Sequence, residues 1–258
     1  MILDDIAAYT RTRVEALKKY KSLYEVRDEA EGRPTGHDFK AALAAPGLSV
    51  IAELKQASPS KGLIAPDFER IYLQKARQYE EGGAAAISCL TEPKFFLGSD
   101  EYLRQVRATV ALPILRKDFT IDEYQIYEAK CLGADAVLLI CSLLSPAQLA
   151  EYLWQAHELG LAALVEAHDA DEVGAALTAG AGIIGVNNRN LKDFSVNPLN
   201  SLRLREQIPQ DKIFVAESGI AKASDCAGLK AAGVQAVLVG EALMRSSDPA
   251  GMLREMRA

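Results

Sequence analysis

The chain has 258 residues, 49% hydrophobic and 25% charged, with a formal net charge of -6, proportions that fit a globular protein and exclude a disordered one. The acidic balance and the lack of a basic run speak against nucleic-acid binding, and no apolar stretch reaches the length of a membrane span. MILDDIAAYT at the N-terminus has neither a basic n-region nor a secretory h-region, and the four cysteines (Cys89, Cys131, Cys141, Cys226) stand far apart without metal-ligand spacing. They read as reduced core thiols of a cytoplasmic protein. His37, His157 and His168 are equally scattered, so no metal site is expected.

The first 47 residues read as helix. Ile2, Leu3, Ile6 and Tyr9 recur at helical spacing, and Val14, Leu17 and Tyr20 continue the pattern until Gly32-Arg33-Pro34-Thr35-Gly36 breaks it. Asp38 to Ala45 supplies a second short helix, ending before Pro46-Gly47. A helical N-terminal extension over residues 1–47, packed on a catalytic domain over 48–258, is the expected organisation.

From Val50 onward a strand–helix rhythm sets in. Strand-like apolar runs fall at Val50–Leu54, Ala84–Cys89, Pro113–Leu115, Ala136–Ile140, Ala162–Val165, Ile183–Val186, Ile213–Ala216 and Ala236–Val239. Helical segments follow each, from Phe68–Glu81 through Asp122–Leu132 to Pro249–Met256, and several end in glycine, as in Gly82-Gly83, Gly133 and Gly180, where a left-handed C′ residue stops a helix. Strands apolar on both faces belong to a parallel sheet covered by helices. Eight such units fit a single (β/α)8 TIM barrel better than an open sheet, and no GxGxxG follows the first strand.

Barrels of this kind carry their chemistry at the C-terminal strand ends. Those ends bear Glu53 and Lys55, Lys117, Glu166, Asn187 and Arg189, Glu217-Ser218-Gly219, and Gly240-Glu241. Alternation along a strand puts Glu53 with Lys55, Lys117 with Leu115, Glu166 with Leu164 and Glu217 with Val215 on common faces. Each alone reads as well as a solvated strand end as it does as a functional group, and Glu53 with Lys55 also reads as a structural ion pair. Jointly they converge on one rim, where like charges push pKa values apart as acid–base chemistry requires. Gly219 and Gly240 each stand where a strand turns to a helix, and they leave main-chain N–H groups open to a phosphate. A phosphorylated small molecule is thus the expected partner.

The segments IAELKQASPSKG, ISCLTEPKFFLGSDEYL, PILRKDFTIDEYQIYEAKCLGADAVLLI, LVEAHDADEV, IIGVNNRNLKDF, AESGI and LVGEALM resemble indole-3-glycerol phosphate synthase, from about Leu48 to Met244. No second barrel follows, so the resemblance is to the monofunctional enzyme of tryptophan biosynthesis. It implies a lyase with no cofactor and no metal, which closes, decarboxylates and dehydrates 1-(2-carboxyphenylamino)-1-deoxyribulose 5-phosphate. By residue matching it makes Lys117 the catalytic acid, Glu166 the group that removes a proton, and Glu53 a second essential carboxylate. Lys55 contacts substrate and shares the acid role, while Asn187 and Arg189 bind the substrate and its carboxylate. Glu217 and Ser218 are polar site residues, and Ser218, Gly219 and Gly240 meet the phosphate. Glu241 departs from the neutral residue expected there, so either its N–H alone serves or the phosphate lies elsewhere. Phe96, Phe119, Leu138, Leu191 and Pro59 wall the anthranilate ring, with Leu138 equally readable as core, and Ser58 to Gly62, Lys61 included, form a lid loop. The implied state is a monomer, or at most a weakly associating one, with no nucleic-acid or membrane partner. The rival readings are another phosphosugar enzyme on this barrel, a Schiff-base aldolase using Lys117, and a silent metabolite-binding barrel.

Overall fold

The computed structural model describes residues 2–190 and 193–258. Three helices, α1 (Ile2–Tyr20), α2 (Leu23–Glu31) and α3 (Phe39–Leu43), precede eight barrel strands. The strands are β1 (Ser49–Leu54), β2 (Ala86–Leu90), β3 (Ile114–Lys117), β4 (Ala136–Ile140), β5 (Ala162–Ala167), β6 (Ile183–Asn187), β7 (Ile213–Glu217) and β8 (Ala236–Val239). Each pairs in parallel with the next, and β1 closes the barrel on β8 with Ser49 opposite Ala236. Strands expected from the sequence are present within two residues at either end. The helix expected to run unbroken to Gly32 stops at Tyr20, because the Ser22 side chain caps α2 and Glu25 reaches back to complete a capping box. Glycine stops the helices as expected, with Gly133 at φ 90° and Gly180 at φ 89°. In the Gly82-Gly83 pair, it is Gly83 that turns left-handed, at φ 78°.

Outward side chains such as Val50, Ile87, Val137 and Val165 pack under the helical ring in the larger core cluster. Inward ones build the lumen in layers drawn from alternate strands. Ile51, Leu115, Leu164 and Val215, from the odd strands, form an apolar layer. Above it the even strands contribute Ser88, Leu138, Gly185 and Leu238. Each of three bridges two layers: Ser88 pairs with Leu115 and Glu53, Gly185 with Val215 and Glu166, and Leu238 with Ile51 and Glu217. The next odd layer is Glu53, Lys117, Glu166 and Glu217. Strand parity therefore carries four ionisable groups to one level at the C-terminal end.

At the opposite end, α3 plugs the barrel. Phe39 and Leu43 join the cluster containing Ala86, Ala136, Ile183, Ile213 and Ala236, the first residues of five strands. The extension also grips the barrel side. Val14, Val26 and Ala30 pack against Tyr124, Tyr127 and Cys131 of helix Glu123–Leu132, and an Arg13 Nη2 donates to both carboxylate oxygens of Asp118 at 2.7 Å. Phe39 is 1% exposed, so Phe39→Ala opens a cavity under the lumen and is expected to cost about 3–5 kcal/mol. Urea denaturation of the variant against the parent checks this.

Candidate active site

A cavity of about 570 Å³ opens above the charged layer. Lys117 is its centre: its Nζ lies 2.9 Å from Glu166 Oε2 and 3.2 Å from Glu217 Oε2. Asn187 Nδ2 donates to the other Glu166 oxygen at 3.2 Å, while its own Oδ1 accepts the Arg189 main-chain N–H at 3.0 Å. On the far side, Glu53 accepts from Lys55 Nζ through Oε1 and from Ser88 Oγ at 3.3 Å through Oε2. Glu53, Glu166 and Glu217 are all buried. The sequence-expected Glu53, Lys55, Lys117, Glu166, Asn187 and Glu217 thus line one cavity, in two hydrogen-bonded groups.

Burial disfavours the Lys117 charge, but the carboxylates of Glu166, Glu217 and Glu53 outweigh it and hold the ammonium far above its ordinary pKa. Burial likewise opposes ionisation of Glu166, yet Lys117 and His168 keep it below the usual carboxylate range. In Glu217 burial wins: with Lys117 shared and Glu166 nearby, its carboxyl is pushed upward. The pair titrates as a unit. One ammonium between two unequal carboxyls offers a proton donor and an acceptor within a single hydrogen bond.

Glycines make room for these carboxylates. A Cβ on Gly185 meets Glu217 Oε1 at 2.1 Å, and one on Gly240 meets Glu53 Oε1 at 2.5 Å and Lys55 Nζ at 3.1 Å. The closest observed need for Gly240 is therefore the Glu53–Lys55 pair, a reason that strand-end reading did not supply. Ser218 and Gly219 both adopt left-handed backbone, at φ 67° and 78°. They do not lead straight into a helix as expected, because Ile220 and Ala221 intervene and helix Ala223–Ala231 begins behind Lys222. Gly240 does, capping the short helix Glu241–Arg245. The Glu241 carboxylate is engaged by Arg245 Nε at 3.2 Å and Lys61 Nζ at 3.7 Å, which leaves its main-chain N–H as the group free of the helix ladder.

The wall opposite is apolar. Phe96 and Phe119 meet with ring centroids 5.8 Å apart at 42°, and Leu138, Pro59 and Ser58 also line the cavity. Glu92 shapes the Phe96 loop by accepting the N–H groups of Lys94, Phe95 and Phe96. Ala57–Ser58 and Gly62–Leu63 pair as a two-rung antiparallel hairpin carrying Lys61 at its turn. Arg189 lines the cavity, with Nη1 donating to Phe194 O at 3.1 Å. Leu191 lies outside the described residues.

Sequence reasoning missed several contributors. Ile2, Leu3 and Ile6 of α1 close the cavity, a role their helical spacing does not reveal. Ser88 and Gly185 sit on inward parity and were legible by that rule alone. His168, dismissed as scattered, is two residues beyond Glu166 and 3.5 Å from it; the same parity points to it. Among the described residues, no group of three or more His, Cys, Asp or Glu side chains is arranged to hold a metal ion, and no helix is long and apolar enough to cross a membrane.

Comparison with known proteins places this geometry. The family model for indole-3-glycerol phosphate synthase matches residues 3–256. A curated indole-3-glycerol phosphate synthase from Ruminiclostridium cellulolyticum is 54% identical over 259 residues, covering 100% of this chain and 99% of its own. One from Endomicrobium trichonymphae is 53% identical over 259 residues, covering 100% of both chains. Among solved structures, the 3-hexulose-6-phosphate synthase of Salmonella typhimurium matches with TM-score 0.65 over 81% of this chain and 97% of that one, at 16% identity, a likeness of fold alone. The chain belongs to the indole-3-glycerol phosphate synthase family.

Proposed function

We propose that the rim centred on Lys117 converts 1-(2-carboxyphenylamino)-1-deoxyribulose 5-phosphate to indole-3-glycerol phosphate, CO2 and water. The observation that carries the reading is the Lys117 ammonium, seated between Glu166 and Glu217 at the floor of an aromatic-walled cavity. The carboxyphenyl ring lies against Phe96, Phe119 and Leu138, with Arg189 holding its carboxylate. The anionic tail meets Ser218, Gly219, Gly240 and the Glu241 N–H, and Ser58 and Asn187 hydrogen-bond the sugar between.

Ring closure joins the carboxylate-bearing aromatic carbon to the ribulose carbonyl, whose oxygen takes a proton from Lys117. Loss of CO2 then returns an electron pair to the ring and restores aromaticity. In the dehydration, Glu166 removes a proton from the new five-membered ring while hydroxide leaves with a proton from Lys55, which Glu53 orients. The 2.9 Å contact lets Glu166 hand its proton back to Lys117. Solvent recharges Lys55, which accounts for the one proton that decarboxylation of a carboxylate consumes. Residues 1–47 and 48–258 act as one catalytic unit, because α1 side chains close the cavity. A cytoplasmic monomer suffices for this chemistry, since every group named comes from one chain.

A positioned acid or base contributes roughly 100- to 10,000-fold. Lys117→Ala and Glu166→Gln are each expected to lower kcat at least about 100-fold with the fold retained, read by indole fluorescence on the carboxyphenylamino substrate. Turnover near the parent value in either folded variant overturns the assignment. Gly219→Ala adds a Cβ at φ 78° that meets Val196 Cγ1 at 2.7 Å, and it is expected to raise KM more than it lowers kcat.

Glu217 also marks a conflict between function and stability. Its carboxyl ionises at higher pH folded than unfolded, so its contribution is present at low pH and is lost as pH rises through the folded value. Glu217→Gln removes that loss. The variant is expected to gain thermal stability relative to the parent between pH 5 and pH 8 while losing activity, and parallel melting curves with no pH-dependent gap would contradict this.

A further inference from the structure

Glu166 has a second basic neighbour besides Lys117. His168 follows it by two residues, and its Nε2 lies 3.5 Å from Glu166 Oε1. That nitrogen is buried and has no hydrogen-bond partner. The ring's other nitrogen is committed: Nδ1 is 3.0 Å from Glu172 Oε2, which also accepts the His168 main-chain N–H at 2.8 Å. A carboxylate only accepts, so Glu172 fixes a proton on Nδ1. In the neutral ring Nε2 then holds a lone pair 3.5 Å from a carboxylate oxygen, which is repulsive. In the imidazolium it carries an N–H, and the contact is attractive.

The surroundings favour the imidazolium. Burial opposes the charge, but Glu172 on helix Ala170–Thr178, Glu166 on β5 and Glu217 on β7 together raise the pKa above its ordinary value. Lys117 is occupied by Glu166 and Glu217. Cys141 Sγ turns to the Glu172 carbonyl at 3.5 Å, Asn200 Nδ2 donates to the His168 carbonyl at 3.0 Å, and Asp169 is spent capping its helix through Glu172 N–H at 2.9 Å. His168 does not line the cavity, so it meets Glu166 and not the substrate.

We propose that His168, held by Glu172, is a positioning residue that keeps Glu166 ionised and in place when Lys117 turns its ammonium to the substrate. The inference rests on Glu166 acting as the base. Lys117 cannot neutralise Glu166 and protonate a carbonyl oxygen at once. Once its proton is given away, Glu166 faces a neutral amine in a dry cavity and would capture the first available proton. An imidazolium on its other oxygen holds the carboxylate ready for the dehydration step.

The test is the pH profile of kcat, which reports groups in the substrate complex. His168→Gln is expected to lower kcat about tenfold with KM within about twofold, and to move the acid limb up by about one pH unit. Glu172→Gln, which touches neither Glu166 nor substrate, should shift the limb the same way by less. Imidazole NMR supplies a readout independent of turnover, because the chain has 3 histidines to assign. His168 should carry protons on both nitrogens at pH 7, and Glu166→Gln should lower its pKa, because it removes the neighbouring carboxylate charge. A folded His168→Gln that loses only thermal stability, or a His168 neutral at pH 7 in the parent, overturns the inference. The NMR result decides even if His168→Gln fails to fold. Parent-like turnover in Glu166→Gln would instead remove the base assignment itself; an inactive Glu166→Gln with an unmoved limb in His168→Gln removes only the role of His168.

Discussion

The contact on which the molecule depends is the Lys117 ammonium between the carboxylates of Glu166 and Glu217, at 2.9 and 3.2 Å. Three charges in a lumen are tolerable only if each strand presents its group at one height, because an unpaired buried ion is expensive. Barrel geometry supplies that height. Odd strands share levels, so β1, β3, β5 and β7 deliver Glu53, Lys117, Glu166 and Glu217 together, one pleat above the apolar level of Ile51, Leu115, Leu164 and Val215. Even strands serve them from between. Gly185 leaves the volume that Glu217 fills, and Ser88 donates to Glu53.

The end of β3 also anchors the extension. Arg116 points outward and pairs with Asp100 at 2.9 Å and Glu128 at 2.7 Å, Lys117 points inward, and Asp118 takes Arg13 of α1. Three consecutive residues thus bind the helical ring, the charged layer and the N-terminal helix. Because α1 carries Ile2, Leu3 and Ile6 to the cavity, the apolar cover over the charged layer is held by an ion pair beside the central lysine. Removing water from that layer strengthens every interaction in it, and α1 contributes to that exclusion through the side chains it adds to the cavity wall.

Much of this was legible in the sequence. Period-two parity located Glu53, Lys117, Glu166 and Glu217, and the repeating strand–helix unit fixed the barrel, because both depend on local alternation. What escaped depends on contacts between segments. Nothing near Gly185 in sequence says that Glu217 needs its space, and nothing near Ile2 says that it lines the same cavity as Phe96. Other signals were present and went unread: Ser22 and Glu25 form a capping box that splits the first helix, and His168 shares parity with Glu166. The Glu241 puzzle needed coordinates, since only they show Arg245 and Lys61 flanking its carboxylate.

The backbone after β7 obeys a different rule from the charged layer. Ser218 at φ 67° has a Cβ and belongs to a region that favours glycine, so surrounding structure must hold it there. Asn188 does so: its Nδ2 donates to the Ser218 carbonyl at 3.0 Å, while its Oδ1 accepts Ser201 N–H at 2.9 Å and Ser201 Oγ at 2.8 Å. The end of β6 therefore dictates the backbone after β7. Ser218 and Gly219, both left-handed, line the cavity where the chain leaves β7. Lys117 is set by charge against charge, which pH can alter; the backbone at Ser218 is set by an amide and a hydroxyl, which it cannot.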